Sequence, residues 1–203
     1  NINQLTNNRI KLERLNIIKN KKLMFIDFEY RDKYFYEVAF VIVENGVIIE
    51  KEYIFTQEAT RKNRVLQKMN NFIDTGIKFK IMQKSKIDYI LRKKVKEVDA
   101  ILGYHVNAEM NVLKHINIDV KKYNFVCVAE LYSTVYNFRK GNKIKEYPSL
   151  NELYNFIKKD TKVEGYKHCA IYDTLLAKIC FDSLFDILNN NIDKYPLIVQ
   201  GHE

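Results

Sequence analysis

Asp27 and Glu29 stand two residues apart in the run Lys22-Leu23-Met24-Phe25-Ile26-Asp27-Phe28-Glu29-Tyr30. The run is apolar and bounded by charge, which predicts a buried strand. Strand side chains alternate faces, so both acids point one way while Phe28 points into the core. Two like charges side by side repel, and burying them uncompensated costs several kcal/mol. A divalent cation relieves that cost, and hard oxygen ligands suit Mg²⁺ or Mn²⁺. Taken alone, the stretch is equally a strand end with two solvated acids. Two later stretches add titratable groups where elements begin or end. One is Gly103-Tyr104-His105-Val106-Asn107-Ala108-Glu109-Met110-Asn111, a strand running into a helix. The other is His168-Cys169-Ala170-Ile171-Tyr172-Asp173, at the start of a long helix.

The elements that must position these residues follow from periodicity. Residues 4–19 carry Leu5, Ile10, Leu12, Leu15, Ile17 and Ile18 among polar positions, an amphipathic helix or N-terminal extension. Residues 22–29, Tyr34–Val43 and Val47–Phe55 read as three antiparallel strands, the last two joined by a turn at Glu44-Asn45-Gly46. Residues 56–97 open on a basic stretch with a turn at Asp74-Thr75-Gly76-Ile77. Ile87, Ile90, Leu91 and Val95 then recur at helical spacing. Asp99–His105 is a short buried strand and Asn107–His115 a helix. Phe125–Val128 is a further strand, followed by a helix over Glu130–Asn137 and a polar loop over Arg139–Tyr147. Ser149 caps a helix with Glu152 three residues on, running to about Lys159. A long helix spans Cys169 to Asn189, and residues 190–203 form a weakly structured tail. The order βββαβαβαα implies a mixed sheet flanked by helices, an α/β architecture. The organisation is an extension over 1–21, one domain over 22–189 and the tail.

Lys and Arg number 34 against 25 Asp and Glu, giving a net charge of +9. That excess favours a polyanionic partner, most simply nucleic acid; a Lys-rich proteome bias gives the same charge with no such partner. Three cysteines without metal spacing argue against a disulfide framework and for the cytoplasm or another reducing compartment. No run approaches a membrane span of roughly 18 apolar residues.

The three motifs, in this order and at these element ends, resemble those of the DEDDh family of 3′→5′ exonucleases, typified by the proofreading subunit of bacterial DNA polymerase III. The resemblance covers roughly Lys22 to Leu188. Thr75-Gly76-Ile77 and Tyr147-Pro148-Ser149-Leu150-Asn151-Glu152-Leu153-Tyr154 look like the family's connecting segments. The resemblance implies a ribonuclease-H-like fold with a mixed five-stranded sheet. It implies two ions, Mg²⁺ or Mn²⁺, about 4 Å apart, that stabilise the attacking and leaving oxygens of a phosphodiester. Asp27, Glu29 and Asp173 would hold the first, and Asp27 would bridge to the second. His168 would be the general base, since an imidazole titrates close to working pH; on the loop before the helix, it could swing toward the site. The substrate would be the 3′ end of single-stranded DNA or RNA, and the Asp-Phe-Glu form of the first motif also resembles the RNA-processing branch.

The sequence departs from that pattern once. The family's second motif has an Asp four residues after its Asn, and counting from Asn107 places Asn111 there. Glu109, two residues earlier, falls on nearly the opposite helix face. An amide holds a cation far less tightly than a carboxylate, so the expectation is an enzyme impaired at the second metal, through a deliberate substitution or a natural change. The terminal nucleotide would be lined by Phe28, Tyr30, His105 and Asn107. Phe28 conflicts with its inward direction; Tyr30 is placed either to stack on a base or to pack beneath the sheet edge. His105 also reads as a structural residue supporting the next helix. The alternative function is a non-catalytic nucleic-acid-binding or scaffold domain of a larger assembly, docked to a protein partner through the N-terminal helix.

Overall fold

Alternation along the first strand sets the two faces of the sheet. In β1 (Leu23–Arg31), Leu23 and Phe25 join one buried cluster while Met24, Ile26 and Phe28 join another. The computed structural model describes residues 13–133, 136–140, 143–145, 147–157, 163, 165–166, 168–190 and 197–200. β2 (Tyr34–Glu44) and β3 (Val47–Thr56) follow β1 as an antiparallel meander. After a 3₁₀ turn at Gln57–Arg61 come α2 (Asn63–Thr75), β4 (Lys80–Met82) and α3 (Lys84–Lys94). Then come β5 (Ala100–Gly103), α4 (Val106–His115), β6 (Phe125–Cys127) and α5 (Val128–Ser133). β7 (Tyr136–Lys140) and β8 (Lys143–Lys145) precede α6 (Leu150–Ile157), α7 (Ala170–Asn190) and β9 (Leu197–Gln200).

The main sheet has six strands in the order β4-β3-β2-β1-β5-β6. β5 and β6 run parallel to their inner neighbours, as does β4 at the other edge. The chain is thus α/β, with a mixed sheet flanked by helices. The expected five strands become six because Lys80-Ile81-Met82 pairs with Ile54-Phe55-Thr56. Three residues, two of them exposed, carry too little pattern to announce a strand. A second, three-stranded sheet, β8-β7-β9, corrects three further expectations. The helix expected to reach Asn137 ends at Ser133, strands lie within the expected loop, and the tail supplies β9, which runs parallel to β7.

Helices cover both faces. Phe181, Leu184 and Phe185 of α7 close on Phe25, Val41 and Leu102, with the Phe181 ring 5.4 Å from Phe25. Ile87 and Leu91 of α3 and Val112 and Leu113 of α4 close the opposite face. α2 packs by Val65, Met69 and Phe72, at i, i+4 and i+7 of one stripe. Helical residues 13–19 (α1) bury Leu15 in the α7-side core; the earlier part of the expected N-terminal helix lies outside the described residues. The capping box forms: Ser149 N–H donates to Glu152 Oε2 at 2.9 Å, and Glu152 N–H to Ser149 Oγ at 3.3 Å. Among the described residues, no helix is long and apolar enough to cross a membrane.

Candidate active site

Parity along β1 aims Asp27 and Glu29 at the face covered by α7, the same face as Phe25. The strand's pairing with β2 is regular as far as Glu29↔Glu37, then shifts between Glu29 and Tyr30. A bulge there turns the strand end just past the two acids, a common device for re-aiming side chains beside a site. α7 brings Asp173 in its first turn. It lies close against β2: Thr174 Oγ1 donates to the Ala39 carbonyl at 3.3 Å, and Ala39 has no exposed surface. One ligand atom from each of Glu29, His168 and Asp173 lies within 4.8 Å of the others. The four residues expected to converge therefore share one place, since Asp27 feels the charges of Asp173 and Glu29.

The fifth member corrects the sequence reading. Asn111 is exposed on the outer face of α4. Glu109 is buried with Val106, Val112 and Leu113 on the inner face and meets Asp27. Counting four residues from His105 instead of Asn107 lands on Glu109. The approach runs past the end of β5, where a Cβ on Gly103 would stand 3.1 Å from Glu109 Oε2 and 3.3 Å from the Val106 Cα, closer than most Cβ contacts. Substituting Asn111→Asp should therefore leave stability within about 0.5 kcal/mol, as for other exposed positions. Metal affinity should also be unchanged, as a side-by-side Mn²⁺ titration of the two proteins would show.

Asp27 Oδ2 and Glu109 Oε2 are both buried without a hydrogen-bond partner. Such groups are costly unless something charged completes them. Burial raises Asp27 well above the usual carboxylate range, with the charges of Glu109, Asp173, Glu29 and Glu37 adding to it. Burial likewise pushes Glu109 up to about 7. Glu29 also rises to about 7, by burial and the nearby Glu37 charge, against a lowering by Lys68. Both shifts favour the protonated carboxyls over the carboxylates.

Behind this cluster lies a network the sequence reading missed. Glu37 of β2 is fully buried and its carboxylate has three donors. Ala170 N–H, at the start of α7, donates to Oε1 at 2.7 Å, and the Tyr53 hydroxyl donates to the same oxygen. Lys68 Nζ of α2 pairs with Oε2 at 2.5 Å and also donates to the His168 carbonyl at 2.8 Å. His168 itself is held at φ +65°, a left-handed conformation uncommon outside glycine. Such strain is kept where the surroundings over-determine it. The Lys68 bond thus fixes the His168 carbonyl, while the side chain is exposed on the loop before α7. Gly165, at φ +92°, closes the same loop where a Cβ would lie 2.6 Å from Cys169 Sγ.

The expected substrate contacts divide. Phe28 is removed from the set: it is buried, with its ring 5.1 Å from Phe35. Tyr30 is exposed. Asn107 is exposed in the first turn of α4. The His105 ring lies 4.6 Å from Tyr104 and 4.9 Å from Tyr147, and burial lowers its pKa. That packing agrees with a residue supporting the start of α4. No family model matches the chain, and neither the curated proteins nor the solved structures hold a significant match to it.

Proposed function

We propose that this chain is a divalent-metal-dependent 3′→5′ exonuclease of ribonuclease-H-like fold, similar to the DEDDh family, acting on single-stranded DNA or RNA ends and releasing nucleoside monophosphates. The observation that carries the reading is the pair of buried carboxylate oxygens, Asp27 Oδ2 and Glu109 Oε2, left without partners beside Glu29, His168 and Asp173. The donors are carboxylate oxygens and one imidazole, which suit Mg²⁺ or Mn²⁺. Asp27, Glu29 and Asp173 would hold one ion, and Asp27 with Glu109 a second. When bound, these ions supply positive charge for the attacking and leaving oxygens of a phosphodiester. His168 accepts the proton of the attacking water, and the Lys68 tether on its carbonyl keeps the imidazole in reach. The order of the main sheet, an antiparallel β1–β3 followed by parallel β5 and β6, is compatible with this fold. With Glu109 in place, Asn111 gives no ground for an impaired enzyme.

The test uses 5′-labelled single-stranded DNA and RNA with Mn²⁺, with Mg²⁺ or with EDTA. The reading expects a descending ladder with either metal, none with EDTA, and nucleoside 5′-monophosphate as product. Binding without a ladder under every condition would instead support the non-catalytic scaffold.

A further inference from the structure

Beside the carboxylate cluster runs a groove of about 640 Å³, and His168 belongs to both. Its other walls carry Tyr30 and Arg31 just past the β1 bulge, Lys62 and Arg64 at the start of α2, and Tyr166 from the loop before α7. No carboxylate is among its described lining residues. Two of the tyrosines offer ring surface. Tyr30 is 42% exposed; Tyr166 rests against the buried Phe72 ring at 5.6 Å yet is still 44% exposed. A ring backed on one side and open on the other is a fixed platform. Lys62 Nζ stands 5.5 Å above a third ring, Tyr36. Tyr36 is close enough to Glu29 and Glu37 for their charges to add to the burial that raises its pKa. Cations and flat ring faces thus line one groove, and His168 joins it to the acids.

We infer that this groove binds the strand leading to the scissile phosphate, with unstacked bases on Tyr30 and Tyr166 and phosphates on Arg31, Lys62 and Arg64. The inference rests on the nuclease reading and adds a length requirement: several nucleotides of single strand, not a dinucleotide, are needed for tight binding. Stacking on open rings is sequence-tolerant because every base has a π-face. A duplex keeps those faces covered, so duplex binding is left with the phosphate contacts alone.

The experiment is fluorescence anisotropy in EDTA, which measures binding with hydrolysis switched off. Fluorescein-labelled oligomers of two and ten nucleotides, as DNA and as RNA, and a ten-base-pair duplex are titrated with the full chain. The single-stranded decamer should bind at least tenfold more tightly than the dinucleotide or the duplex; the two sugars show which nucleic acid is preferred. Substituting Tyr166→Ala should weaken the decamer by roughly 5- to 150-fold, the usual effect of losing one stacked base. Replacing Lys62 and Arg64 together by Ala should lower the slope of log affinity against log salt by about 1.4, for two single-strand phosphate contacts. Equal affinity for the decamer and dinucleotide, or variants that bind like the parent protein, would overturn the inference. Hydrolysis of the p-nitrophenyl ester of thymidine 5′-monophosphate by the unmodified protein with Mn²⁺ tests the nuclease reading separately. Binding as expected with no ester cleavage supports the groove and sinks the enzyme; cleavage without decamer binding does the reverse.

Discussion

Substituting Asp27→Asn should abolish metal-dependent hydrolysis and, at pH 8 in EDTA, raise the melting temperature. The first effect follows from the residue's place among Glu29, Glu109 and Asp173, where a neutral amide would hold a cation far less tightly than a carboxylate. Losing several kcal/mol of transition-state stabilisation lowers the rate by about 10³-fold or more. The second follows from the raised pKa values. A carboxyl whose folded pKa lies above its unfolded value stabilises the fold at low pH, and that contribution is lost as pH rises through the folded value. For Glu109 the window runs from the ordinary carboxylate range near 4.3 to about 7. Asp27 shifts in the same direction.

The metal-free protein should therefore lose stability between about pH 4.5 and pH 7, by a few kcal/mol in order of magnitude. Mn²⁺ should restore it at pH 8 and do little at pH 5, where protons already neutralise the pair. For a chain of this size that is a melting shift of roughly 5 °C or more. In Asp27→Asn the loss with rising pH should be much shallower. Thermal melts at pH 5 and pH 8, with EDTA or Mn²⁺, check every part. A metal-free protein that melts higher at pH 8 than at pH 5 would contradict the assignment of raised pKa values to this cluster.

Glu37→Ala should be among the most destabilising single changes in the chain. It strands a Lys68 ammonium whose side chain is only 12% exposed, along with the Tyr53 hydroxyl and the Ala170 N–H. Breaking a buried pair in this way costs about 3–5 kcal/mol. Glu37→Gln keeps the shape and one acceptor but turns an amide donor toward Lys68, for a loss of about 1–3 kcal/mol. Because Lys68 also holds the His168 carbonyl, both variants should lose hydrolysis beyond what their stability explains, by about tenfold or more well below their melting points. Replacing Lys68→Met in the Glu37→Gln background should recover part of the stability, since the unpaired charge is gone, but not the rate. Denaturant melts with rates at low temperature separate the two effects. Unchanged rates in Glu37→Gln would show that the network only supports the core.

Much of this was legible in the sequence because a strand has period two. The run ending in Asp27 and Glu29 states both its burial and its polarity, and the paired β1 follows it. The capping box at Ser149 and the start of α7 near Cys169 were equally plain. Glu109 was lost to a counting origin. Residues two apart on a helix do face nearly opposite ways, and in α4 it is Glu109, not Asn111, that faces inward. The apolar stripe Val106, Val112 and Leu113 includes Glu109 and leaves Asn111 outside, so the amphipathic pattern could have chosen between them. Glu37 had a signal too: one acid inside Tyr34-Phe35-Tyr36-Glu37-Val38-Ala39-Phe40, where a strand buried on both faces has no place for an unpaired charge. Its partners Tyr53 and Lys68 sit on β3 and α2, which only the fold brings together. α2 was hidden by its basic residues, although Val65, Met69 and Phe72 mark its buried stripe. The short edge strands β4 and β9 owe their conformation to neighbours distant in sequence.

The most direct measurement is a Mn²⁺ titration of the full chain at pH 8, followed by electron paramagnetic resonance of the free ion. Saturable uptake of two ions per chain is expected, reduced in Asp173→Asn, lost in Asp27→Asn and unchanged in Asn111→Asp. Uptake that never saturates, or that survives Asp27→Asn intact, would contradict a metal centre built on these carboxylates.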